Sequence, residues 1–268
     1  MPERIGPKAK DGLAVELVED GRVLSLTLDQ PKGNVLTLQL MTELQSALTA
    51  HRDDRRLKMV VLRGAGKDFS FGASVAEHRP KIAPFMLHTF HDLVREVAAY
   101  PVPIAALVQG RCLGGAFELV LACHFVFATE TAVFGVPEVR LGVVPPVMTV
   151  LGHHRLGGAL AERLTLTGEE VGPSRLLESG FLSAVFAKSD AADDRLFDWY
   201  RTWLAPLSAF TLREATVGAR HGSGLLASLG KPLDLAEQRY ADRLLASHDG
   251  NEGIEAFLAK RAPQWVDR

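Results

Sequence analysis

Alternating apolar and polar positions open the readable part of the chain. In LAVELVEDGRVLSLTL, residues 13–28, two such runs flank Asp20-Gly21. That residue pair suits a two-residue type I′ hairpin turn, whose central positions both take positive φ. The period then changes. After the turn Pro31-Lys32-Gly33-Asn34, Leu40, Leu44 and Leu48 recur every four residues within TLQLMTELQSALTAH, which predicts an amphipathic helix. KMVVL, residues 58–62, predicts a short strand running into Gly64 and Gly66. A helix over 85–99, a strand over 103–108, a mostly apolar helix over 113–123 and short strands over 125–128 and 132–134 continue the rhythm. Alternating β and α elements predict an α/β protein. Beyond Ala191 the strand signals stop, and residues 195–204, 235–245 and 251–261 carry a helical period. A C-terminal helical region is expected there, with no low-complexity linker before it and no internal repeat.

Composition narrows the function. The chain has 268 residues, with 30 Lys+Arg against 32 Asp+Glu, so its formal net charge is −2. That balance weighs against a polyanion-binding surface. Hydrophobic residues at 47% and charged residues at 23% describe an ordinary globular chain, long enough to bury a small-molecule pocket. Cys112 and Cys123 lie in an apolar stretch and read as buried thiols of a reducing compartment. Residues 1–10, MPERIGPKAK, carry charge and proline where a signal peptide has an apolar run. Glu118 and His124 interrupt the most apolar window, so no membrane span is expected. A soluble cytoplasmic protein is the expectation.

Several motifs fail on their context. Residues 222–227 (GSGLLA) match a relaxed dinucleotide-binding pattern, but no strand precedes them. No phosphate-cradling loop is present. His88 and His91 share a helix face without a third ligand and read as exposed histidines, and the adjacent His153 and His154 diverge on a helix, so no metal is expected. Gly72-Ala73-Ser74-Val75-Ala76 resembles a nucleophile elbow whose last glycine has become alanine, with His248 as the one tempting late histidine. No oxyanion-binding segment lies upstream of it.

The informative stretch runs from Val108 to Val147. A strand enters Gly110, a loop reaches Gly114-Gly115, and a helix follows. Glycines just before a helix let backbone N–H groups approach a ligand at the positive end of the helix dipole. Glu118 falls in the first turn among Phe117, Leu119, Val120 and Leu121. It reads either as a first-turn residue complementing the dipole or as a carboxylate whose proton affinity an apolar pocket raises. Glu138 follows in the turn Gly135-Val-Pro137-Glu138. Two acids beside an oxyanion site suit the addition of water across a double bond, one activating water and the other handling a proton.

These segments resemble the enoyl-CoA hydratase/isomerase (crotonase) superfamily over essentially the whole chain. QPKGNVL, DFSFGASVAEH, PVPIAALVQGRCLGGAFEL, FGVPEVRLGV and ASHDGNEGIEAFLAKR carry the resemblance in order and spacing. FSFGASVAEH and the C-terminal stretch are most similar to cyclohexa-1,5-diene-1-carbonyl-CoA hydratases of anaerobic aromatic degradation. The resemblance implies a crotonase spiral of β-β-α units over residues 1–200 and a helical oligomerisation and CoA-contacting region over 201–268. A homotrimer or homohexamer follows from it, as does a CoA-ester substrate with no separate cofactor, metal, nucleic acid or membrane partner.

Carried over residue by residue, the catalytic pair is Glu118 and Glu138, and the oxyanion hole is formed by the backbone N–H groups of Phe71 and Gly115. Lys32, Gly72, Ala73, Ser74, Gly114, Phe257 and Lys260 contact substrate or CoA. Retention of both glutamates favours a hydro-lyase. The implied reaction is 1,4-addition of water to cyclohexa-1,5-diene-1-carbonyl-CoA, giving 6-hydroxycyclohex-1-ene-1-carbonyl-CoA. A linear-chain 2-enoyl-CoA hydratase, an enoyl-CoA isomerase, or a non-catalytic CoA- or RNA-binding homologue are the alternatives. For the last, Arg52, Arg55, Arg56 and Lys58 form a small basic cluster that reads as a solvated helix end. Departures from the family pattern fall at Phe71, Ser74, Ala116 and Val143-Val144-Pro145-Pro146, and they suit a cyclic acyl group better than a straight one.

Overall fold

The computed structural model describes residues 12–187 and 191–268. The N-terminal decapeptide read above lies outside them. In order, the elements are β1 (Leu13–Val18), β2 (Val23–Leu28), α1 (Leu38–His51), β3 (Met59–Gly64), α2 (Ala83–Ala98), β4 (Ile104–Val108), β5 (Arg111–Leu113) and α3 (Gly115–Ala122). There follow β6 (Phe125–Thr129), β7 (Val133–Gly135), α4 (Pro146–Leu156), α5 (Gly158–Thr167), β8 (Glu170–Val171), α6 (Pro173–Glu178) and β9 (Ala184–Phe186). The remaining elements are helical: α7 (Ala192–Trp203), α8 (Ala209–Gly222), α9 (Leu225–Ser228), α10 (Lys231–Arg239) and α11 (His248–Leu258). Short 3₁₀ turns cover Val75–His78 and Pro137–Leu141, and a π-helical turn covers Tyr240–Leu244.

The larger sheet has the order β1-β2-β3-β4-β6-β9, parallel throughout except for the β1/β2 hairpin. Its strands are apolar almost without interruption because both faces are covered. Leu24, Leu26, Val60 and Leu62 pack against α1, α2 and α3, whereas Val23, Met59, Val61 and Phe127 pack under Leu196 and Tyr200 of α7. A second layer of pairing joins β5 to β7 in parallel, Ser70 to Cys112 and Leu36 to Ala73. Each turn of chain therefore contributes one strand to the large sheet, one extended segment to the small one and then a helix. This is the expected crotonase-type spiral.

Two local readings need correction. The first hairpin does not turn on two residues: Val18 pairs with Val23, leaving Glu19–Arg22 as a four-residue loop. Glu19, Asp20 and Gly21 all take positive φ, and the Glu19 carboxylate pairs with Arg201 of α7 at 2.6 Å. His88 is exposed, but His91 is not; it is fully buried, with its Nδ1 on the carboxylate of Glu237 from α10. The tertiary partner that buries it lies 146 residues away, beyond the reach of helix periodicity.

Candidate active site

The site begins at a turn. Asn34 sits at φ 52°, a backbone state that asparagine tolerates better than most residues. Its buried amide nitrogen reaches the carbonyls of Ala65, Asp68 and Phe69 at 3.0–3.1 Å. Ser70 Oγ donates to the Asn34 carbonyl at 2.7 Å and accepts from the Gly72 N–H at 3.1 Å. These bonds fix the chain from Phe71 to Ser74. The Phe71 N–H donates to the Gly33 carbonyl at 2.9 Å, and the Ser74 N–H donates to the Leu36 carbonyl at 3.1 Å.

That accounting corrects the expected oxyanion pair. The Phe71 N–H is consumed within the backbone and has no hydrogen left to offer a ligand. Its neighbour Ala73 has an N–H that makes no hydrogen bond among the described residues. A Cβ placed on Gly115 would lie 3.3 Å from the Ala73 nitrogen, so these two backbone positions face one another. The Gly115 N–H, at the first position of α3, is likewise unpaired. Gly72, at φ 92°, permits the approach: a Cβ there would meet the Leu113 carbonyl oxygen at 2.4 Å.

Glu118 projects from α3 into a cavity of about 330 Å³ and is 3% exposed. The N-terminus of α4 meets it, with the Met148 N–H donating to Oε1 at 2.8 Å. Burial pushes the Glu118 carboxyl up to about 7, against the opposing pull of the Met148 and Val147 N–H groups. Glu138, on the 3₁₀ turn after β7, lines the same cavity. It is held over Gly114, whose N–H donates to the Gly135 carbonyl at 2.8 Å. A Cβ on Gly114 would sit 2.7 Å from Glu138 Oε1. Burial, then the charge of Glu118, raises the Glu138 carboxyl well above the ordinary range, and its Oε2 has no partner among the described residues. Two carboxyls in one apolar cavity that resist joint ionisation form an acid/base pair.

The remaining walls are largely apolar, including Phe71, Met86, Phe90, Val143, Val144 and Pro146. Tyr240 was not singled out in the sequence. It reaches the cavity from the π-helical turn, is 1% exposed, and has a hydroxyl with no partner among the described residues. Burial and the charges of Glu138 and Glu118 raise its phenol. Of the remaining expected residues, Ala73, Gly114 and Phe257 line the cavity, the last 54% exposed at its mouth. Lys32 and Lys260 are exposed at positive φ, and neither they, Gly72 nor Ser74 form its wall. Ser74 instead precedes the 3₁₀ turn and offers its carbonyl to His78 Nδ1 at 2.8 Å, so no nucleophile elbow is built. No group of three or more potential metal ligands occurs among the described residues, and no helix there is long and apolar enough to cross a membrane.

The sequence profile of the enoyl-CoA hydratase/isomerase family matches residues 19–268. The chain belongs to that family. One relative within it is a cyclohexa-1,5-dienecarbonyl-CoA hydratase from Thauera aromatica, 39% identical over 97% of this chain and 99% of its own length. A 2,3-dehydroadipyl-CoA hydratase from Escherichia coli (strain K12) is 33% identical over 92% of this chain and 96% of its own. Among solved structures, an enoyl-CoA hydratase from Mycobacterium avium subsp. paratuberculosis K-10 superimposes with a TM-score of 0.81 at 29% identity, covering 96% of this chain and 99% of that one. The enoyl-CoA hydratase/isomerase fold and the hydro-lyase class expected from the sequence agree with these relatives.

Proposed function

We propose that this chain adds water to an unsaturated acyl-CoA thioester whose carbonyl oxygen is bound by the N–H groups of Ala73 and Gly115. The observation that carries this reading is the convergence of those two unpaired donors with Glu118 and Glu138 on a single apolar cavity. Donors aimed at a thioester oxygen stabilise the enolate formed in the transition state, each by about 3–4 kcal/mol in rate terms. The helix-terminal N–H groups on Glu118 favour its ionisation over that of Glu138. Glu118 is therefore the base that takes a proton from water, and Glu138 is the acid that delivers one.

Cyclohexa-1,5-diene-1-carbonyl-CoA is the proposed substrate. Hydroxide from water adds to the ring carbon β to the thioester while Glu118 takes the water's other proton. The electrons pass through the dienolate, and Glu138 protonates the far terminus of the diene, leaving 6-hydroxycyclohex-1-ene-1-carbonyl-CoA. Support for a ring comes from the wall of Val143, Val144, Pro146 and Phe71 and from the dienoyl-CoA hydratase relative. Phe257 and Lys260, on and just beyond α11, are proposed to contact the nucleotide of CoA. The test is incubation with crotonyl-CoA and with the cyclic dienoyl-CoA, following water gain by mass. Faster hydration of the cyclic ester is expected. Equal rates would remove the ring assignment, and no hydration of either ester would remove the hydratase reading.

A further inference from the structure

A second cleft, of about 430 Å³, lies at the opposite end of α3 from Gly115 and shares no lining residue with the acyl cavity. His124, Arg155, Thr216 and Arg220 line it, the last two from α8. Arg220 is 6% exposed, and one of its terminal nitrogens donates to the Ala122 carbonyl at 2.7 Å. Arg155 donates likewise to the Cys123 carbonyl at 3.1 Å, with its guanidinium over the Phe181 ring. Both arginines thus cap the C-terminal end of α3, which accounts for one nitrogen of each.

Arg155 Nε and Arg220 Nε are buried without a partner among the described residues. His124 Nδ1 accepts from the Ile104 N–H at 3.1 Å, so the ring hydrogen resides on Nε2, and that atom is also buried and unpartnered. These three N–H donors belong to residues that line the cleft, and no acceptor among the described residues answers them. Two carry full positive charge, and neither arginine forms an ion pair among the described residues. The α3 dipole offsets only about half a charge. Buried cations are ordinarily paired.

We propose that this cleft binds an oxyanion, held between Arg155, Arg220 and His124, which line it. The ligand must be acceptor-rich and negatively charged, because all three free groups are donors and guanidinium pairs well with carboxylate or phosphate oxygens. The oxyanion is either a small free anion or a carboxylate side chain of a second copy of this chain. The site is independent of the acyl-CoA reading.

The experiment uses the full chain in chloride buffer. Inorganic phosphate is titrated at constant ionic strength by calorimetry and thermal melting, with sedimentation velocity on the same samples. His124→Asp supplies a carboxylate from within the cleft, and Arg220→Gln keeps a donor for the Ala122 carbonyl while removing the charge and Nε. For a free anion, the wild type takes up one phosphate per chain with a rise in melting temperature. His124→Asp then loses the uptake, Arg220→Gln weakens it by roughly tenfold or more, and the association state is unchanged. For a second-copy carboxylate, the assembled wild type ignores phosphate and both variants shift to a smaller species. If Arg220→Gln fails to fold, the wild type and His124→Asp decide between the arms. A wild type without saturable phosphate uptake, together with a folded variant of unchanged association state, overturns the proposal.

Discussion

The Met148 backbone N–H donates to Glu118 Oε1 over 2.8 Å, so the start of α4 supports the charge of a carboxylate carried by α3. That support is outweighed by burial, and the carboxyl rises from an ordinary 4.5 to about 7. Stability therefore falls as pH climbs from about 4.5 through about 7, because the unfolded chain releases this proton first and the folded chain keeps it. Glu118→Gln retains an acceptor for Met148 and removes that dependence. Its stability advantage over the wild type should grow by on the order of 3 kcal/mol between these limits. Urea melts at pH 5 and pH 8 measure it, and parallel curves for the two proteins would contradict the shift. Catalysis has the opposite slope: kcat/KM should rise through about pH 7 as Glu118 ionises and fall at higher pH as Glu138 loses its proton.

Gly115→Ala tests the oxyanion site. The new methyl would lie 3.3 Å from the Ala73 nitrogen, in the space a thioester oxygen would occupy. Alanine suits the first turn of a helix, so the variant should fold while kcat drops by roughly 10²- to 10³-fold with little change in KM. Phe71→Ala provides the contrast, since its N–H still serves the Gly33 carbonyl. It should keep its rate on crotonyl-CoA and lose rate on the cyclic dienoyl-CoA. An equal loss of kcat on both esters would contradict a ring-selecting role for the Phe71 side chain.

The α/β alternation and the glycine-rich helix start were legible from local signatures, whereas the spiral and the pairing of Glu118 with Glu138 were legible through the family resemblance. Leu40, Leu44 and Leu48 are all buried on α1, and Gly114-Gly115 does open α3. What sequence reading missed depends on long-range accounting. Whether Phe71 or Ala73 offers a free N–H depends on the Gly33 carbonyl on another turn of the spiral. Pro145-Pro146 was read as pocket shape, yet Pro146 also opens α4 and so delivers the Met148 N–H to Glu118. A proline at the first helical position is a helix-start signal that could have suggested this. Tyr240 had no such signal. Only the packing of the π-helical turn against the cavity reveals it.

Tyr240→Phe should separate stability from activity. The buried hydroxyl has no partner among the described residues, so its loss should stabilise the fold by about 1 kcal/mol. The same hydroxyl is a free donor on the wall shared with Glu118 and Glu138. Its removal should lower kcat/KM for the favoured ester by roughly tenfold, the scale of one lost hydrogen bond. Thermal melting and steady-state rates on one preparation check both signs. A variant with raised melting temperature and unchanged kinetics would make Tyr240 a packing residue alone.

Asn34 lies behind the oxyanion loop, and its substitutions can separate backbone strain from positioning. Asn34→Gly accepts φ 52° without penalty but abandons the bonds to the Ala65, Asp68 and Phe69 carbonyls. Stability should fall by about 2–3 kcal/mol, since these carbonyls are left without the amide that satisfies them. The Asp68 and Phe69 carbonyls, just ahead of the Phe71–Ala73 segment, lose their tether, so kcat should fall more than the CoA-ester affinity. Asn34→Ala adds the left-handed backbone penalty of about 1–2 kcal/mol to the same loss. If the pin acts through position, the two variants should differ in stability but share one reduced kcat. If backbone strain sets the loop geometry instead, kcat should be lower in the alanine variant than in the glycine one.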